Sequence, residues 1–211
     1  ADHTATFDTP SPRQMVISER GDRLYIANGL RSDAMVTAVG SNLSSGELSL
    51  LNQSYVLGSE PVAIALQEDK VVTVNRGDGS LALLRVASDG TLGQADWRID
   101  LGDSKLSEPT SLSFSPDRKH LFVVDKGQNM IMHFRVHTTM PPLTIDASQI
   151  TLDRGFKPIK MVFDISGRNA YLLGADGAKV YHYKHRNGEL TLESKISMTG
   201  IGQLSGTDLV I

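Results

Sequence analysis

The feature that most constrains this fold is the spacing of four prolines. Pro12, Pro61, Pro109 and Pro158 stand 49, 48 and 49 residues apart, and each opens the same succession of short apolar runs and turns. The clearest copy covers residues 108–136. An alternating run with Leu112 and Phe114 breaks at Ser115-Pro116-Asp117-Arg118-Lys119 and resumes over 121–125. It then turns at Lys126-Gly127-Gln128-Asn129 and runs again over 130–136. Runs of β-branched and aromatic residues with period two, bounded by Pro, Asp, Asn and Gly, predict antiparallel hairpins, because successive side chains point to opposite faces.

Aligned on the prolines, first strands are predicted over 14–18, 62–66, 111–115 and 160–164, and second strands over 24–28, 71–75, 121–125 and 170–174. Third strands follow over 34–39, 80–86, 130–136 and 179–184, and fourth segments over 46–51, 90–99, 143–152 and 188–192. Four antiparallel strands per unit at a period near fifty predict an all-β fold, the β-propeller, with blades at 11–52, 53–101, 102–152 and 153–198. A blade alone cannot bury both of its apolar faces, so its neighbours supply stability. The segment Gly206-Thr207-Asp208-Leu209-Val210-Ile211 begins 48 residues after Pro158, so 200–211 read as the start of a fifth blade. His3-Thr4-Ala5-Thr6-Phe7 alternates like a terminal strand that joins a blade elsewhere. A four-blade ring has no use for another opening strand, and an open arc exposes unpaired edges and an apolar face. The expectation is a single domain over 1–211 that is part of a larger ring, completed by remaining blades or by a second chain.

Composition narrows the partners. A formal net charge of −3 without a basic stripe argues against nucleic acid. No run approaches the eighteen apolar residues of a membrane span, and the absence of cysteine excludes disulfides and thiolate metal sites. The Ala1-Asp2 start fits a mature exported protein, giving a periplasmic or secreted expectation. The glycines sit in hairpin turns rather than strand-to-helix phosphate loops, so no cofactor is expected.

Several phrases carry a resemblance. They are Ser115-Pro116-Asp117-Arg118-Lys119-His120-Leu121-Phe122-Val123-Val124-Asp125, the turn Asn75-Arg76-Gly77-Asp78-Gly79-Ser80, and the closing phrases Gly46-Glu47-Leu48-Ser49-Leu50, Asp89-Gly90-Thr91-Leu92 and Asn187-Gly188-Glu189-Leu190-Thr191-Leu192. With these the chain resembles the lactonase-type seven-bladed propellers, which include one class of 6-phosphogluconolactonase and the carboxy-muconate lactonising enzymes. The resemblance implies a seven-bladed ring and hydrolysis of a small anionic sugar lactone such as 6-phosphogluconolactone. Family members often carry histidine directly after the Gly-Pro that opens a blade. Here the residues before the prolines are Ser11, Glu60, Glu108 and Lys157, and no histidine follows.

In a propeller, the loops between second and third strands and those joining blades gather on one face, where function is usually found. That rule puts forward Glu60, Arg76, Asp78, Glu108, Asp125, Lys126 and Lys157. Glu60 and Glu108 are the candidate bases toward water. Arg76, Lys126 and Lys157, with Asp78 and Asp125, are candidate substrate contacts. The plainer reading of each is a solvated turn residue. The rival function is a non-catalytic scaffold that binds a protein or polysaccharide.

The histidines predict no metal site. His182 and His185 fall on opposite faces of a strand, while His133 and His137 are about 13 Å apart if extended. His120, following a turn, is expected at the surface. Turn chemistry accounts for Asp117 and Asp164 without calcium.

Overall fold

The computed structural model describes residues 11–29, 33–101, 106–146, 149–175 and 179–197. The strands expected over 3–7 and 206–211 lie outside these residues. Contacts divide the chain into two compact units, Ala1–Lys105 and Leu106–Ile211. No helix among the described residues is long and apolar enough to cross a membrane.

The first unit holds two sheets. One is β1 (Pro12–Ile17), β2 (Arg23–Asn28), β3 (Met35–Ser41) and β4 (Leu48–Tyr55). The other is β5 (Pro61–Gln67), β6 (Lys70–Asn75), β7 (Ser80–Val86) and β8 (Leu92–Asp100). Each is an antiparallel meander in chain order. Their facing sides make one core, in which Tyr25, Ala27, Val36 and Ala38 of the first sheet pack on Ile64, Val71, Ala82 and Leu84 of the second. The opposite face of the first sheet exposes Met15 and Ile17 on its first strand and Leu50 on its fourth.

The second unit repeats the plan. β9 (Pro109–Phe114), β10 (His120–Asp125) and β11 (Met130–Val136) form the third sheet. The fourth comprises β14 (Pro158–Phe163), β15 (Asn169–Gly174), β16 (Lys179–Arg186) and β17 (Glu189–Ser197). The single fourth segment expected over 143–152 is two pieces here, β12 (Leu143–Ile145) and β13 (Ile150–Thr151), each paired to β11. Asp146 interrupts it: its N–H turns back to the His133 carbonyl at 2.9 Å, and its carboxylate takes the Arg135 guanidinium at 2.6 Å. The core joins Phe122, Val124 and Ile131 to Met161, Ala170, Leu172, Tyr181 and Tyr183.

The opening prolines explain the shared geometry of the sheets. In every first strand the register to the second slips within the two residues after the proline. A proline cannot donate to the ladder, so a bulge there costs no hydrogen bond. Before it, Ser11, Glu60 and Lys157 adopt φ of +54°, +59° and +50°. In all four repeats the carbonyl of the residue before the proline accepts the N–H of the residue just past the second strand. These bonds are Gly29 to Ser11, Arg76 to Glu60, Lys126 to Glu108 and Ala175 to Lys157, at 2.9 to 3.0 Å. Each blade-joining loop is thereby tied to the turn that follows the second strand.

Candidate functional site

That tie places all seven sequence-predicted residues at the corresponding end of their sheets, where first strands begin and second strands end. In the first unit, the Arg76 guanidinium forms an ion pair with Glu60, whose side chain is the more buried of the two. Arg76 N–H donates to Glu60 O and Gly77 N–H to Ser59 O, so the loop and the turn lie flat against each other. Gly77 is required there, because a Cβ would stand 2.4 Å from Ser59 Oγ. Asp78 accepts from Ser80 Oγ at 2.6 Å and faces Arg98 at 3.5 Å.

The second unit builds the same arrangement. Lys126 Nζ donates to Glu108 Oε1 at 2.8 Å. A Cβ on Gly127 would stand 2.1 Å from Ser107 Oγ. The sequence reason is a shared phrase: Ser59-Glu60-Pro61 with Arg76-Gly77, and Ser107-Glu108-Pro109 with Lys126-Gly127. The serine and the glycine were not singled out from sequence. The signal was available, since both phrases recur at the repeat spacing.

Asp125 differs from the other six in burial. It is fully buried, and its carboxylate accepts the N–H groups of Ser107, Glu108 and Gln128 at 2.7, 3.2 and 2.9 Å. It shapes the turn that carries Lys126. Asn28 and Asn75 occupy its place in the first two repeats and are buried as well. In the fourth repeat the position is Gly174, because the Phe156 ring sits where a Cβ would go, 2.8 Å away. Lys157 donates its backbone N–H to Asn129 Oδ1 at 3.0 Å.

Chemically, two charged arrays result. A guanidinium carries five N–H donors and an ammonium three, so each cation can hold its carboxylate and still meet an anion. A carboxylate accepts at both oxygens, so Glu108 can hold Lys126 through one and still meet a hydroxyl or a water through the other. Among the described residues, no cluster of His, Asp and Glu could hold a metal ion.

The histidines lie elsewhere, and one expectation is corrected. His120 is buried rather than exposed, because its ring packs beside His133, itself buried. His185 points to the same side of β16 as buried Tyr181 and Tyr183. His182 points to the other side, stacked on Tyr171 at 5.0 Å. Asp164 accepts from Asn169 and Ser166 within its own turn, and the Asn169 bonds hold its carboxyl down at about 2.

Comparison with known proteins agrees with this architecture. A protein provisionally designated 6-phosphogluconolactonase from Bacteroides fragilis superposes with a TM-score of 0.78 at 23% identity, over 89% of this chain and 57% of its own. One of the same designation from Bacteroides uniformis gives 0.76 at 26% identity, over 87% and 56%. The periplasmic gluconolactonase of Pseudomonas aeruginosa gives 0.76 at 20% identity, over 95% and 60%. The chain thus spans less than two thirds of the length of these structures. No curated protein sequence matches it. The family model described as lactonase, 7-bladed beta-propeller, matches residues 2–208, so the chain belongs to the lactonase family of seven-bladed β-propellers.

Proposed function

We propose that this chain is the greater part of a lactone-hydrolysing propeller acting on a small anionic sugar lactone of the 6-phosphogluconolactone kind. The observation that carries the reading is the twofold recurrence, in a member of the lactonase family, of a carboxylate clamped to a cation on a loop-bearing end of a sheet. A phosphate or carboxylate on the substrate competes for Arg76 in the first unit, or for Lys126 or Lys157 in the second. The carboxylate so released, Glu60 or Glu108, takes a proton from water as the water oxygen bonds to the lactone carbonyl carbon. The ring C–O bond then breaks and the proton passes to the leaving alkoxide. Asp78 holds the first turn and Asp125 the second. The remaining blades, or a second chain, cover the exposed Met15 and Ile17 face and complete the ring.

The test is steady-state hydrolysis by the complete protein and by Arg76→Ala. Loss of a charged hydrogen bond worth about 1.5–3 kcal/mol lowers kcat/KM by roughly 10- to 100-fold. Unchanged kinetics would remove Arg76 from the site. The second reading, a non-catalytic scaffold for a protein or polysaccharide, draws on the missing histidines and on cations already matched by carboxylates. Absence of turnover across a panel of lactones, together with a stable partner in a pull-down, would favour it.

A further inference from the structure

Two imidazoles and two carboxylates of the second unit lie in a row at the end of β10 and β11 remote from the charged turns. His120 Nδ1 stands 2.9 Å from His133 Nε2. On the outer sides, His120 Nε2 is 3.9 Å from Asp117 Oδ2, and His133 Nδ1 is 3.8 Å from Asp146 Oδ2. The strand register makes the pair: Phe122 faces His133 directly, so His120, two residues before Phe122, is its diagonal neighbour on the same face. Phe122 then stacks on His133 with centroids 4.8 Å apart.

Ring nitrogens at this distance share one proton. Two neutral rings carry two protons, so with one between them the other can face only one carboxylate. A third proton lets the pair face both. The proton count is therefore felt by two separate segments, the β9–β10 turn through Asp117 and the segment after β12 through Asp146.

The fourth sheet caps the pair. In the β16–β17 hairpin, Asn187 and Gly188 have φ of +52° and +86°. A Cβ on Gly188 would lie 2.6 Å from atoms of both His120 and His133, so the hairpin backbone rests on the rings. His185 fixes that hairpin: its Nδ1–H donates to Gly167 O at 2.7 Å, leaving Nε2 to accept Gly188 N–H at 3.1 Å. The charged and titratable groups facing the pair are Asp117 from the β9–β10 turn, Arg135 from β11, Asp146 after β12, and His185 from β16. Arg135 already engages Asp146.

We propose that His120 and His133 form an acid-responsive joint between the third and fourth sheets, in which uptake of one proton lifts the Asn187–Gly188 hairpin from the rings. The extra charge is poorly solvated under the cap, and opening the cap admits water to it. Burial holds both imidazoles below the usual histidine range, with His133 brought down to about 4 by burial and the His120 neighbour.

The test is nitrogen-resolved NMR of the histidine rings in the full chain, with amide hydrogen exchange at residues 187–190 corrected for intrinsic rate. His120 and His133 should titrate as a coupled pair on the acid side of the ordinary histidine value. Hairpin opening should rise by up to about tenfold per pH unit where one proton is taken up. In His133→Gln that slope should disappear. Should that variant fail to fold, Asp146→Asn should move the titration to lower pH by removing a favourable charge. Independent titration near the ordinary histidine value would overturn the proposal. So would hairpin exchange indifferent to the pair's titration, or an unmoved midpoint in Asp146→Asn.

Discussion

Replacing Gly188 by alanine is the sharpest test of how the third and fourth sheets meet. Two penalties act at this position. At φ +86° an L-residue is strained by about 1–2 kcal/mol. The new methyl would also stand 2.6 Å from His120 Cε1 and Nδ1 and from His133 Cε1. Those rings cannot swing aside freely, since one is paired to the other and His133 is stacked on Phe122. Overpacking of this kind adds about 1–3 kcal/mol, for a total of roughly 2–5 kcal/mol. Gly155 provides the control: its φ is +78°, but nothing lies within 4 Å of a Cβ built there, so Gly155→Ala carries the strain alone. The assay is native-state hydrogen exchange of the β10 and β11 amides. Indole fluorescence is unsuitable, because the single tryptophan, Trp97, is on β8 in the other unit. A loss for Gly188→Ala no greater than that for Gly155→Ala would refute the contact between hairpin and rings.

Two more outcomes follow from the second unit. Its stability should decline as pH falls from about 6.5 toward 4, because the unfolded chain binds protons there that the buried His133 does not, by up to about 3 kcal/mol. Urea unfolding followed by hydrogen exchange across that window checks the sign, and a stability that rises on acidification would contradict it. Asp125→Ala should cost about 3–5 kcal/mol by stranding the N–H groups of Ser107, Glu108 and Gln128, while Asp125→Asn, which keeps an acceptor oxygen, should cost less. Equal losses from the two substitutions in the same exchange measurement would show that these bonds are not the source of the effect.

The candidate site was legible in its parts but not in its pairings. Glu60 and Arg76 were singled out separately, one as a base and the other as an anion binder. Their union depends on the bulge after Pro61 and on positive φ at Glu60, which bring the loop onto the turn. Asp125 looked like a surface contact because it ends a strand before a polar turn. Its burial follows from amides supplied by Ser107 and Glu108, seventeen and more residues earlier. The His120 and His133 contact follows from the β10–β11 hairpin register, a pairing across strands that spacing within either strand does not show.

The sequence alone determined the repeat, the position of the strands to within a few residues, and their meander order, because alternation and turn chemistry are local and hairpins join neighbours. It also identified the family, whose phrases sit in those turns. Only the tertiary structure decided which polar groups meet. The break of the fourth segment at Asp146, the seating of Gly188 on the imidazole pair, and Gly174 making room for Phe156 each join residues from different strands or different sheets. Such contacts are set by how neighbouring strands and loops fold over one another and how sheets pack face to face, and no periodicity within one strand records that.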